Sequence, residues 1–338
     1  MLLTTATSTK PRVILGLMTF GPPGTESKGA RVTSIDDYNS CLDYLQKSGY
    51  NEVDTARVYV SGDQEAFTRE AKWKERGLQI ATKCMPHKPG MHKADALKAT
   101  LNKSLRELGT DSVDIFYLHA PDRSVPFEET LEACNDLFKE GKFQYLGLSN
   151  YAAWEVAEIW NIAKERGWVK PTIYQAMYNA ITRDIETELV PCCRKYGLDI
   201  VVYNPLAGGI FSGKYKSAEL PKEGRYSATN ESQGKMYRDR YFKDATFDAL
   251  RLIEPVVQKH NLTLLETALR WVKHHSKLKI NGVREGGNDG IIIGVSSLKQ
   301  LEGNITDLEK GPLPDEVVEV LDNAWNNITK ASTPLYWR

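Results

Sequence analysis

Cysteine is scarce in this chain: five among 338 residues, with no C-x-x-C pair and no regular spacing. An odd, scattered set argues against a disulfide framework and fits a reducing compartment, with Cys41, Cys84, Cys134, Cys192 and Cys193 as small side chains inside apolar runs. No H-x-x-x-H or mixed Cys/His framework exists, so no metal is expected; the His274-His275 pair sits near a helix end, where a capping or dipole role is the expected one. An excess of charge is also missing. Lys+Arg and Asp+Glu both number 44, so nothing points to nucleic acid or to an acidic solvating tail. Apolar runs stop far short of a membrane span. The N-terminal stretch MLLTTATSTKPRVILG lacks the charged start and continuous apolar core of a secretory signal, and nothing Arg-rich precedes the first strand. A cytoplasmic protein is expected.

What the chain does have is a rhythm. Eight short apolar, β-rich runs alternate with amphipathic segments: 13–20, 51–56, 78–84, 113–120, 143–150, 172–179, 199–207 and 290–296. Helical periodicity occupies 34–48, 64–75, 94–108, 127–140, 152–166, 184–196, 245–258 and 262–275, with a last helix near 314–330. Capping chemistry stands at Thr33-Ser34 and at Asp184. Strands apolar almost throughout, each followed by a helix, imply a parallel sheet covered on its outer face. Eight such units predict one α/β domain over 1–338, a closed (β/α)8 TIM barrel. The rhythm breaks once, at the polar stretch 214–243 after the seventh strand, rich in Gly, Ser, Arg and Tyr. A loop of that length in a compact domain reads as a lid or binding loop.

Asp54, Lys83 and His119 stand at or just past the ends of the second, third and fourth runs, and Tyr59 follows the second by a few loop residues. A polar residue at the tail of a buried strand is costly unless something needs it there. The carboxyl ends of barrel strands are where active sites are built. The four groups are complementary. A tyrosine hydroxyl donates protons but has an ordinary pKa of about 10. A lysine ammonium beside it favours the phenolate and is expected to lower that value. An aspartate would hold the lysine, and a histidine would bind a substrate oxygen. The set delivers protons but lacks a nucleophile, so a hydride-carrying cofactor is its natural complement.

Other residues carry two readings each. GGIFSGK (208–214) resembles a phosphate-binding loop, but Tyr215 stands where a magnesium-binding Ser or Thr is required. Its backbone would contact a pyrophosphate, or it is a plain Gly-rich turn. Ser149, Asn150 and Gln175 offer hydroxyl and amide groups for a carboxamide, although Asn150 equally suits a helix cap. Tyr203 suits stacking on a flat ring or a place in the core. Arg225, Arg238 and Arg240 in the long loop suit phosphate or carboxylate recognition or plain solvation.

The motifs VDTARVY, ATKC, YLHAPD, GLSNY, YQAMYN and GGIFSGKY fall in the order and spacing of the aldo-keto reductases, which the chain resembles over nearly its whole length. YNPLAGG, the GRY and YRDRY pieces, ALRWVKHHS, IIGVSSLKQLEGN and the closing YWR resemble its aflatoxin-aldehyde and succinic-semialdehyde reductase branch. The resemblance implies NADPH-dependent reduction of a small aldehyde, with a tail over the barrel. It implies Tyr59 as general acid, Lys83 and Asp54 as its support, and His119 as the group orienting the carbonyl. It implies Ser149, Asn150 and Gln175 on the carboxamide, Tyr203 on the nicotinamide, and Leu206, Gly208 and Lys214 along the pyrophosphate. Ser296, Gln300 and Asn304 would hold the adenosine end, Arg225 the 2′-phosphate, and Arg240 and Arg338 an acidic substrate. The chain departs from that branch in one place: the stretch around Ser232–Lys235 lacks the branch's tryptophan and carries extra residues. The wider family often has arginine where Gln300 stands. An aryl-alcohol or sugar-aldehyde dehydrogenase and a non-catalytic channel subunit on the same scaffold stay open as alternatives, as does a homodimer.

Overall fold

The computed structural model describes residues 10–222, 224–227, 232–280 and 286–338; the first nine residues, part of the stretch read above for targeting, lie outside it. Eight parallel strands close into a barrel in chain order: β1 Arg12–Gly16, β2 Glu52–Asp54, β3 Gln79–Cys84, β4 Val113–Leu118, β5 Phe143–Ser149, β6 Pro171–Met177, β7 Asp199–Tyr203 and β8 Gly290–Gly294. β8 returns to β1 in register, Val13 against Ile291 and Leu15 against Ile293, so no edge is left open. All eight expected strands are present; seven of the apolar runs continue past the strand into the loop at the barrel mouth, and the third ends with its strand at Cys84.

The helices, in chain order, are α1 Ile35–Lys47, α2 Gln64–Glu70, α3 Ala94–Leu108, α4 Phe127–Lys139, α5 Ala153–Arg166, α6 Leu189–Tyr196, α7 Ser232–Tyr241, α8 Asp244–Lys259, α9 Leu264–His274, α10 Leu298–Glu309 and α11 Asp315–Ala324. Ser34 caps α1 as expected, accepting from the Asp37 amide at 3.3 Å. Asp184 does not begin α6. It opens a separate 3-10 turn, Asp184–Glu186, and the α-helix starts at Leu189. The stretch read as a loop contains α7, and the last helix ends in a π turn, Trp325–Thr329. No helix among the described residues is long and apolar enough to cross a membrane.

Alternation along the strands sorts two cores. In β4, Phe116 and Leu118 face the helices, while Ile115 and Tyr117 join Ile14, Ala81, Ile173, Val201 and Ile292 inside the barrel. Tyr117 is register partner to Gly147 of β5. A Cβ at Gly147 would lie 2.3 Å from the Tyr117 ring, so the missing side chain is what admits that ring. Gly147→Ala is expected to cost about 1–3 kcal/mol of stability through overpacking. Urea unfolding of the variant measures this directly; an unchanged midpoint would mean that the ring has room to move. At the N-terminal ends of the strands a cavity of about 160 Å³ is rimmed by Arg12, Glu52, Gln79 and Asp199. Arg12 and Glu52 pair there at 2.7 Å, on the barrel face that serves stability.

Candidate active site

The second, third and fourth strands bring Asp54, Lys83 and His119 to one mouth, and a 3-10 turn, Tyr59–Gly62, delivers Tyr59 to it. Lys83 is wholly buried. Its ammonium donates to the Asp54 carboxylate, to the Thr55 carbonyl at 2.6 Å and to the Tyr59 hydroxyl at 3.1 Å. The second Asp54 oxygen accepts from the Gln175 amide at 2.9 Å. A buried charge is tolerated only when paired and hydrogen-bonded, and Lys83 has all three donors used. After Tyr59 the chain turns sharply: Val60 and Ser61 adopt φ of 50° and 54°. A β-branched residue in the left-handed region is strained, and such strain collects where geometry matters. Arg57 spans this turn, donating to the Gly62 carbonyl and to the buried Glu65 at 2.5 Å.

Electrostatics correct one expectation. Tyr59 is pushed well above the ordinary tyrosine value, by burial first and then by the Asp54 charge, so it is a fully protonated phenol rather than an acidified one. Burial lowers Lys83, and the Asp54 carboxylate opposes it. His119 is driven well below the usual histidine value by burial, then by the Lys83 and Arg338 charges. It is a neutral imidazole, edge-on to Tyr59 with ring centres 6.2 Å apart, and its Nδ1 is buried without a hydrogen-bond partner.

Around the tetrad lies a second set. Asn150, at φ 63°, donates to the His119 carbonyl at 2.8 Å and to Ser149 Oγ at 3.0 Å, and accepts from the Tyr203 hydroxyl at 3.3 Å. Above them opens a cleft of about 580 Å³ lined by Tyr203, Met236, Arg240, Trp337 and Arg338. The tail reaches it because Tyr336 is buried, accepting from the Ala153 amide at 3.1 Å and donating to Glu188 at 2.8 Å. Arg240 and Arg338 feel each other and nearby tyrosines, and neither has a carboxylate partner among the described residues.

The remaining expected residues form two further groups. After β7, the Leu206–Gly213 turn runs through left-handed Gly208 and Gly209, at φ 67° and 100°. Arg225 donates to the Gly208 carbonyl at 3.2 Å and stacks over Tyr237 at 4.4 Å. A Cβ at Gly208 would meet the Tyr226 hydroxyl at 2.7 Å, whereas nothing lies within 4 Å at Gly209. Lys214 is exposed just past the turn. Beyond β8, the Gln300 side chain accepts from the Ser296 amide at 2.8 Å, Ser297 caps α10, and Asn304 is buried one turn on.

The Aldo/keto reductase family model matches residues 12–326. The chain belongs to this family. Among its relatives, an aldo-keto reductase of Pseudocercospora fijiensis is 45% identical over 88% of this chain and 99% of its own length. Mouse aflatoxin B1 aldehyde reductase member 2 is 43% identical over 93% of this chain and 86% of its own. Human aldo-keto reductase family 7 member A3 is 41% identical over 97% and 98%. Family membership makes the chain an oxidoreductase built for a nicotinamide cofactor, and the aflatoxin-aldehyde branch is the one the motifs indicate.

Three residues of this aldo/keto reductase site escape a reading of the sequence alone. Arg57 and Glu65 brace the Tyr59 turn, and the buried Tyr117 ring lies 5.9 Å from the Lys83 ammonium. Arg57 lies within the VDTARVY motif, where a lone charge between two site residues is the available signal.

Proposed function

We propose that this chain reduces aldehydes to alcohols with NADPH, and that Tyr59 donates the proton. The observation that carries the reading is the 3.1 Å contact between the Lys83 ammonium and the Tyr59 hydroxyl, with Asp54 behind the lysine. The proton leaves the Tyr59 hydroxyl for the carbonyl oxygen, and the phenolate left behind lies beside a fixed positive charge. Lys83 therefore acts mainly on the forming phenolate, where preorganised charge counts most. His119, neutral and a donor, orients the carbonyl oxygen.

A bound nicotinamide would supply the hydride. The donor set fits such a cofactor: hydroxyl and amide groups at Ser149, Asn150 and Gln175 for the carboxamide, and the Tyr203 ring for the nicotinamide face. Leu206, Gly208 and Lys214 suit the pyrophosphate, since the turn has open space beside Gly209. Ser296, Gln300 and Asn304 suit the adenosine end. Preference for NADPH over NADH rests on Arg225 and the cationic stretch around it. Gln175 and Asn150 already bond within the site, so each would share its amide with the cofactor.

The finer reading is an aldehyde that carries a carboxylate. Two guanidinium groups without a carboxylate partner among the described residues, Arg240 and Arg338, share the cleft. Hydrogen bonds to charged groups contribute about 1.5–3 kcal/mol, roughly one to two decades in KM. Arg338→Ala is expected to raise KM for succinic semialdehyde and to leave that for 4-nitrobenzaldehyde unchanged, in NADPH-consumption assays at saturating cofactor. KM values that stay put, or rise together, would reject the acid-specific role.

A further inference from the structure

Arg123 is an exposed residue on the loop after β4, four positions past His119. Its guanidinium faces two ways. One edge forks onto Glu155, with Nε to Oε1 at 2.7 Å and Nη2 to Oε2 at 3.1 Å. The other donates to the main-chain oxygen of Arg338 at 2.5 Å, and the plane lies over the Trp337 ring at 5.5 Å. Glu155 is wholly buried and also accepts from the Ala152 amide at 2.7 Å, closing the first turn of α5. The Arg338 amide donates to the Asn150 carbonyl at 3.0 Å. One side chain thus ties together the loop that carries His119, the turn that carries Asn150, and the two residues that wall the cleft.

We propose that Arg123 is a positioning residue: it holds Trp337 and Arg338 in register over the cleft and so sets KM for substrates that reach Arg338. It touches no reacting atom. Tyr336 anchors the tail independently and the Arg338 amide still reaches the Asn150 carbonyl, so loss of Arg123 loosens the last two residues rather than releasing the whole segment. A lysine keeps a positive charge beside Glu155 but lacks the planar fork that serves two partners at once. The inference rests on the proposed role of Arg338 for its substrate selectivity, while the clamp itself is tested separately.

The test uses the full chain with Arg123→Lys, and Arg123→Gln beside it. Hydrogen exchange followed by mass spectrometry reads the peptide covering residues 330–338, and steady-state kinetics with NADPH read KM and kcat. Faster exchange in that peptide is expected for both variants. KM for succinic semialdehyde is expected to rise about tenfold with kcat held, a loss in the range of a charged hydrogen bond. In an Arg338→Ala background the Arg123 substitutions should add nothing, since residues acting as one unit are not additive. Unchanged exchange of the tail peptide, or an effect of equal size in both backgrounds, would overturn the clamp. If Arg338→Ala affects acidic and neutral aldehydes alike, the acid-specific reading fails, and non-additivity measured with 4-nitrobenzaldehyde still decides for or against Arg123.

Discussion

Tyr59→Phe is expected to lower the turnover number by about 10²–10⁴-fold, the usual worth of a positioned general acid. The substitution removes one oxygen, and that oxygen is the hydroxyl facing the Lys83 ammonium. The ring and the strained turn behind it remain, braced by Arg57 and Glu65. Affinity for NADPH, read by quenching of protein fluorescence, should therefore stay unchanged. The wild-type rate of the chemical step should be flat from mildly acidic to mildly basic pH. Tyr59 stays protonated because burial pushes it well above its ordinary value, and His119 stays neutral because burial holds it well below its own. A Tyr59→Phe variant that kept most of its turnover would remove Tyr59 from the chemistry.

Lys83→Met is expected to be nearly as damaging to turnover and much worse for the fold. The ammonium has three partners, and its loss strands the Asp54 carboxylate, only 3% exposed, without its counter-charge. Breaking a buried pair by removing one partner costs about 3–5 kcal/mol. The paired variant Asp54→Asn with Lys83→Met removes both charges, so it should regain part of that stability in urea unfolding. It should not regain turnover, because the phenolate still forms without a neighbouring cation. Recovery of both together would mean that Lys83 serves packing alone.

Much of this is legible in the sequence because barrel strands are buried on both faces. A run such as VDIFYLHA reads plainly as a strand, and a histidine at the end of one is conspicuous. The tetrad positions follow from the same logic. α10 is missing from the expected helices although Leu298, Leu301, Ile305 and Leu308 carry helical spacing behind a Ser297 cap; taken one by one, its polar residues suggest cofactor contacts and draw attention from the period. α7 is hidden for a physical reason. Its sequence SQGKMYRDRY is polar almost throughout, and it packs through Tyr237 and Tyr241 onto an aromatic cluster with Tyr226 and Phe242. The acidity of Tyr59 is misjudged from sequence because pairwise reasoning counts the lysine and omits the burial that outweighs it. Arg123 cannot be found from spacing, since its partners lie 32 and 215 positions away.

Hydride transfer to an aldehyde is the core of the proposed activity, and an isotope label reads it most directly. The purified protein would be incubated with 4-nitrobenzaldehyde and NADPH carrying deuterium at both C4 positions, and the alcohol analysed by mass spectrometry. One deuterium on the carbinol carbon is expected in every product molecule, with one NADPH consumed for each, and the signal should fall by the same factor as turnover when Tyr59 is replaced by phenylalanine. Alcohol without deuterium, or NADPH bound but never consumed with any aldehyde offered, would contradict a reductase and leave a cofactor-binding barrel with another task.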